Sequence, residues 1–207
     1  KATKAIQFLM SDTKVYRATL SLGKSTDTYD ASGKILEEKE VGQISKAQVI
    51  DVYGVLNHVL LAKHFKTLMM YIGKDVQVID QVTGQKRSAC LADESHCAII
   101  ISYSGQTREM VEVAEIYHKR NIPFISITCM AENSISRLAD VHLYLSSREM
   151  LHIKIGDFAS TTSLKYLFDI LYAGVFSYDY KKNLETKIVV ASYVDDRQSE
   201  DEYINEK

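Results

Sequence analysis

Five short runs set the terms for this chain: VIDVYG at residues 49–54, DVQVID at 75–80, CAIIISY at 97–103, PFISIT at 123–128 and VHLYL at 141–145. All are rich in branched aliphatic residues. A strand with one wet face alternates apolar and polar side chains, and CAIIISY does not, so it must be covered on both faces. Between the runs lie segments with helical spacing. Residues 57–73 end at Gly73, a normal helix stop. Residues 107–121 are amphipathic, and 157–178 form a long, largely apolar helix. The only proline, Pro123, stands at the first position of its strand, where a missing N–H is tolerated. Strands that alternate with helices predict an α/β domain: a three-layer, doubly wound, five-stranded parallel sheet. Such sheets take ligands beyond the carboxyl ends of the strands, where the strand order reverses.

The bulk numbers exclude several classes of function. The 207 residues are 46% hydrophobic and 25% charged, the balance of an ordinary globular protein. The net charge of −2 supplies no basic field for nucleic acid, and neither a membrane-length apolar run nor a signal peptide stands out. Cys90, Cys97 and Cys129 are odd in number and widely spaced, as thiols in a reducing cytoplasm are. His58, His64, His96, His118, His142 and His152 form no metal-ligand spacing, so neither a metal nor a cofactor is expected. The chain begins at Lys1 without methionine and reads as part of a longer frame.

The third run leads into Ser102, Tyr103, Ser104, Gly105, Gln106 and Thr107. A strand ending here and a helix beginning near Thr107 place the hydroxyls at a helix N-terminus. The first N–H groups there have no partners inside the helix, and the dipole favours an anion. Gly105 permits a turn strained for other residues, and the hydroxyls can rotate to meet phosphate oxygens. No lysine or arginine lies in the loop, which separates it from the lysine-bearing phosphate loop. On spacing alone, helix capping by Ser and Thr accounts for the loop equally well.

The order of the pieces carries a family resemblance. YGVLNHVLLAKHF, AIIISYSGQTREMVEVAEIYHKRNIPFISIT, NSISRLADVHLYL and EMLHIKIGDFASTTSLKYLFDILYAGVF follow one another as in the sugar isomerase (SIS) domain of RpiR-type transcriptional regulators, over residues 52–180. The resemblance implies a carbohydrate-derivative-binding, Rossmann-like module that takes a small phosphosugar effector. It implies that Ser102, Ser104 and Thr107 hold the phosphate, that Gly105 and Gln106 shape the loop, that Gly54 opens the first glycine loop, and that Glu149 and Ser160 face the sugar. The first loop departs from the family's Gly-x-Gly-x-Ser: Leu56 replaces the second glycine and His58 the serine, leaving His58 as an alternative donor or a helix-end residue. Thr161 stands where an arginine commonly follows the serine, which removes an anion partner.

Residues 1–48 read differently. Residues 14–23 alternate as a half-buried strand does, 25–34 are turn chemistry, and 34–41 suit a second strand. KATKAIQFLMSDTKVYRATLSLGKSTDTYDASGKIL resembles an internal piece of a TruB-type tRNA pseudouridine synthase. By that resemblance Tyr16 matches the active-site tyrosine, while the block with the catalytic aspartate belongs upstream. Asp27 and Asp30 are turn residues. A catalytically incomplete fragment is therefore expected, too short to bury a core alone.

Three segments follow: 1–48 as the synthase-like, β-rich fragment, 49–180 as the phosphosugar-binding domain, and 181–207 as a polar tail, solvated or ordered across a dimer. At the joint, Ser45 and Gln48 suggest a helix cap, while VIDVYG suits a buried strand. Burying Val49, Ile50 and Val52 stabilises by about 1.5–3 kcal/mol each against about 1 for a cap, so the strand is expected. The function expected is phosphosugar sensing in a bacterial cytoplasm, by a regulator module that associates with itself and would reach DNA only through a helix-turn-helix domain absent from this chain. No residue is assigned a catalytic role. The alternatives are an aldose–ketose isomerase, for which Glu149 is the one matched carboxylate, and a synthase fusion or fragment.

Overall fold

The structure, a computed structural model, describes residues 24–26, 35–38, 47–145, 149–150 and 156–194. At the head of the chain β1 (Lys24–Thr26) pairs antiparallel with β2 (Ile35–Glu38). β2 falls inside the strand expected over 34–41. β1 takes the start of the stretch read as turn chemistry. The strand expected over 14–23, and Tyr16, lie outside the described residues.

The main body runs β3 (Val49–Tyr53), α1 (Asn57–Met70), β4 (Asp75–Ile79), α2 (Val82–Leu91), β5 (His96–Ile101), α3 (Arg108–Lys119), β6 (Phe124–Thr128), β7 (Val141–Tyr144), α4 (Phe158–Tyr178) and α5 (Tyr180–Val194). The five strands form one parallel sheet in the order β4-β3-β5-β6-β7. Val49 lies opposite both Asp75 and His96, and Ala98 opposite Phe124. This is the expected doubly wound α/β fold. At the joint the strand prevails over the cap: β3 starts at Val49, with Val52 fully buried.

The period-two geometry of β5 divides the core. Ile99 and Ile101 point to one face, packing with Val52, Ile125 and Ile127 under α1 and α4. Ala98 and Ile100 point to the other, packing with Phe124, Met110, Val113, Ala114 and Tyr117 under α2 and α3. Phe65 of α1 stacks on Phe168 of α4 at 4.7 Å between ring centroids. No helix among the described residues is long and apolar enough to cross a membrane.

Two helices depart from the sequence reading. α2 was not foreseen, because only Gln85 and Ala89 of its residues are buried and Gly84 interrupts it. α5 replaces the first part of the polar tail expected from 181. Its Asn183 is 3% exposed and donates through Nδ2 to the carbonyls of Val175 (3.0 Å) and Phe176 (3.1 Å). Those are carbonyls that the end of α4 leaves without partners of its own, so one asparagine ties α5 back across the break at Asp179.

A buried polar network crosses the α2–α3 side. Tyr117 donates to Asp51 Oδ2 at 2.7 Å, His96 Nδ1 lies 2.7 Å from the same oxygen, and the Tyr53 hydroxyl meets Ser88 Oγ and the Tyr117 hydroxyl at 3.2 Å each. Burial, above all, pushes the Tyr53 hydroxyl up to about 12, and that of Tyr117 well above the tyrosine range. Both groups keep their protons longer folded than unfolded. Their contribution to stability is therefore complete below the ordinary tyrosine pKa of about 10 and falls as pH rises toward 12. The urea midpoint should drop between pH 9.5 and 11.5, less steeply in Tyr53→Phe; an equal slope in that variant contradicts the assignment.

Burial likewise pushes the Cys97 thiol up to about 12, with Asp51 adding in the same direction. Cys90 is exposed. Iodoacetamide at pH 8 should alkylate Cys90 and leave Cys97 intact until the chain is unfolded, because the thiolate is the nucleophile. Peptide masses report both sites, and equal native labelling would contradict the packing of β5.

Candidate functional site

Strand order reverses between β3 and β5. β3 runs on into α1 on one face, and β5 into α3 on the other. The loops that leave these neighbouring strands are 54–56 and 102–107. Gly54 sits beside the end of β5: a Cβ there would meet the Ile101 Cβ at 3.7 Å and the His58 Cβ at 3.0 Å.

The second loop is tightly specified. Gly105 has φ +64° and donates its N–H to the Ser102 carbonyl at 3.0 Å. A Cβ on Gly105 would lie 2.0 Å from the Asn133 side chain. Both the backbone angle and the close approach therefore require glycine here. Ser102 is buried, and its Oγ meets Thr107 Oγ1 at 2.9 Å. Ser104 Oγ accepts the Gln106 N–H at 3.2 Å. Gln106 is exposed, and its Oε1 accepts from Ser134 Oγ at 2.8 Å.

Thr107 is the N-cap residue of α3, yet its side chain makes no capping hydrogen bond. The capping account of these hydroxyls therefore fails at Thr107, which is turned to Ser102 instead. α1 starts without a side-chain cap as well. Its N-cap residue is Leu56, with φ 53° and ψ −123°, a region that side chains avoid. The substituted glycine loop thus keeps a glycine-type backbone under a leucine side chain. His58 lies in the first turn of α1, half-buried.

Glu149 and Ser160 join the same edge through hydrogen bonds. Tyr103 donates its hydroxyl to the Glu149 carbonyl at 2.6 Å, and that hydroxyl accepts the Glu149 N–H at 3.2 Å. The Glu149 carboxylate covers the start of α4: Oε1 accepts the N–H groups of Ala159 (2.6 Å) and Ser160 (2.8 Å), and Oε2 accepts Ser160 Oγ (2.6 Å). Asn57 at the head of α1 donates to Asp157 before α4 at 2.9 Å. Seven of the nine candidate residues thus fall on loops at one edge of the sheet, and His58 and Ser160 stand in the first turns of α1 and α4 beside them.

Sequence reasoning missed three contributors. Tyr103 is the link between loop and Glu149. Asn133 seats Gly105 and is itself held by Thr128 Oγ1 and the Ala131 carbonyl. Its N–H donates to Ser136 Oγ and its Oδ1 accepts the Ser136 N–H, a reciprocal cap legible as Asn-x-x-Ser. The third, Gln85, belongs to the unforeseen α2 and carries no motif.

The SIS domain model matches residues 43–167, more than half of the chain. The chain belongs to the SIS domain family. The model of the N-terminal domain of TruB family pseudouridylate synthase matches residues 1–59. The two matches overlap over 43–59, and from Val49 onward the backbone takes the SIS course. The uncharacterized HTH-type transcriptional regulator YbbH of Bacillus subtilis is 26% identical over 155 residues, 75% of this chain and 55% of that protein. The chain thus spans about half the length of that relative. The Vibrio vulnificus NanR protein complexed with ManNAc-6P superposes with a TM-score of 0.67 at 23% identity, covering 74% of this chain and 58% of NanR. The sugar isomerase domain of an RpiR transcription factor from Sphaerobacter thermophilus gives a TM-score of 0.61 at 18% identity, over 73% and 83%. This SIS domain therefore has the fold of the sugar isomerase domain of that RpiR transcription factor and of NanR, and its sequence resembles that of an HTH-type regulator.

Proposed function

We propose that residues 49–180 bind a phosphorylated sugar as an effector. Ser102, Ser104 and Thr107 hold the phosphate, with Gly105 and Gln106 shaping the loop. Gly54 opens the first loop, His58 stands beside it as a further donor, and Glu149 and Ser160 line the sugar side. The observation that carries this reading is the pair of uncapped helix starts, α1 and α3, on either side of the reversal in strand order, with the Ser102 and Thr107 hydroxyls bonded to each other in front of one of them. Oriented N–H groups and neutral hydroxyls suit a phosphate dianion without a basic side chain.

Binding rather than isomerisation is the better supported role. An isomerase needs a carboxylate or comparable base free to take a proton from the sugar. The carboxylate of Glu149 instead accepts three hydrogen bonds at the start of α4. The resemblance to regulators points the same way, as does ManNAc-6P in the NanR complex. Leu60 of α1 and Phe158 and Tyr166 of α4 are exposed, which supports self-association through that side.

A thermal-shift screen with hexose, pentose and amino-sugar phosphates tests the reading. A ligand at a hundred times its Kd adds about 2.7 kcal/mol and raises Tm by several degrees. A panel without any shift would remove the proposal. Release of an aldose or ketose isomer from the bound sugar phosphate would replace the effector role with the isomerase.

A further inference from the structure

We propose that Gln85 is a positioning residue for the phosphate site, fixing the first peptide of the loop after β3; this rests on the phosphosugar-binding reading above. Gln85 stands on α2, behind the sheet, and is 1% exposed. Its Nε2 donates to the Gly54 carbonyl at 2.9 Å and to the Ile79 carbonyl at 3.1 Å. Those carbonyls stand at the carboxyl ends of neighbouring strands β3 and β4. Both amide protons are thereby spent, and the reversed amide is excluded because it would set Oε1 against two carbonyl oxygens.

The peptide after Gly54 is planar and trans, so fixing its carbonyl fixes the Val55 N–H on the opposite side. With the carbonyl drawn toward α2, that N–H points away from α2. The next residue is Leu56, in its strained conformation at the start of α1. A strained turn persists only where its surroundings determine it, and Gln85 supplies that determination from behind the sheet. The residue acts through the backbone and not by touching ligand.

Side chains that cannot donate separate positioning from packing. Gln85→Leu keeps the volume and loses both hydrogen bonds. Gln85→Glu keeps the shape but donates only when its carboxyl is protonated. Binding of N-acetylmannosamine 6-phosphate, followed by calorimetry, and of inorganic phosphate, followed by ³¹P line broadening, should weaken at least tenfold in Gln85→Leu. In Gln85→Glu, affinity relative to the unsubstituted protein at the same pH should recover as pH is lowered from 8 to 5. Hydrogen exchange across 54–58 should rise in both variants at pH 8, with the β6 amides unchanged. Equal binding by Gln85→Leu and the unsubstituted protein overturns the Gln85 proposal alone. A Gln85→Glu deficit that does not vary with pH overturns it too, as a packing defect. If the unsubstituted protein binds neither probe, the Gln85 proposal falls, and the phosphosugar reading falls with it when the thermal-shift panel also gives no shift.

Discussion

Gly105→Ala should abolish ligand binding and cost about 2–5 kcal/mol of stability. The left-handed backbone contributes about 1–2 kcal/mol of that penalty for a residue with a Cβ. The rest comes from Asn133, whose carboxamide lies 2.0 Å from the new methyl and must leave its hydrogen bonds to Thr128, Ala131 and Ser136. An unpaired buried amide costs about 1–3 kcal/mol more. Gly174→Ala is the matching control. It lies within α4, and a Cβ there meets nothing within 4 Å, so alanine should stabilise by about 1 kcal/mol. Urea unfolding of both variants measures the contrast. A Gly105→Ala protein as stable as its parent would mean that the loop does not take this turn.

Phe168→Ala should cost about 3–5 kcal/mol, a large part of the 5–15 that a domain of this kind has. Phe168 is 1% exposed and stacks on Phe65 at 4.7 Å, where α1 and α4 cross one face of the sheet. α4 also presents Ser160 to Glu149, and α1 carries His58, so the pair holds two parts of the site in register. Phe168→Leu should lose much less stability and retain binding. A loss below 1 kcal/mol for Phe168→Ala would contradict the stacked core.

The sheet was legible because its strands are covered on both faces. CAIIISY leaves no wet side, and Ala98 and Ile100 separate from Ile99 and Ile101 by periodicity alone. The loop at 102–107 was legible for the same reason: a buried strand must end somewhere, and hydroxyls around one glycine mark the place. α2 was not, since VTGQKRSACL buries only two positions and has a glycine inside. α5 was hidden behind polar composition, because its attachment rests on Asn183 and not on an apolar stripe. The choice between cap and ligand loop was also beyond the sequence. Both need Ser and Thr at one spacing, and only the direction of the Thr107 hydroxyl separates them.

The central claim is that Ser102–Thr107 receives a phosphate. Calorimetric titration measures it most directly, using the sugar phosphate selected by the thermal screen, the same sugar without phosphate, and a Ser104→Ala/Thr107→Ala protein. Two hydrogen bonds to a charged oxygen contribute about 1.5–3 kcal/mol each. The double variant should therefore bind at least about 100-fold more weakly, and the sugar without phosphate should not bind measurably. Unchanged affinity in the double variant, or equal affinity for the sugar without phosphate, would contradict it.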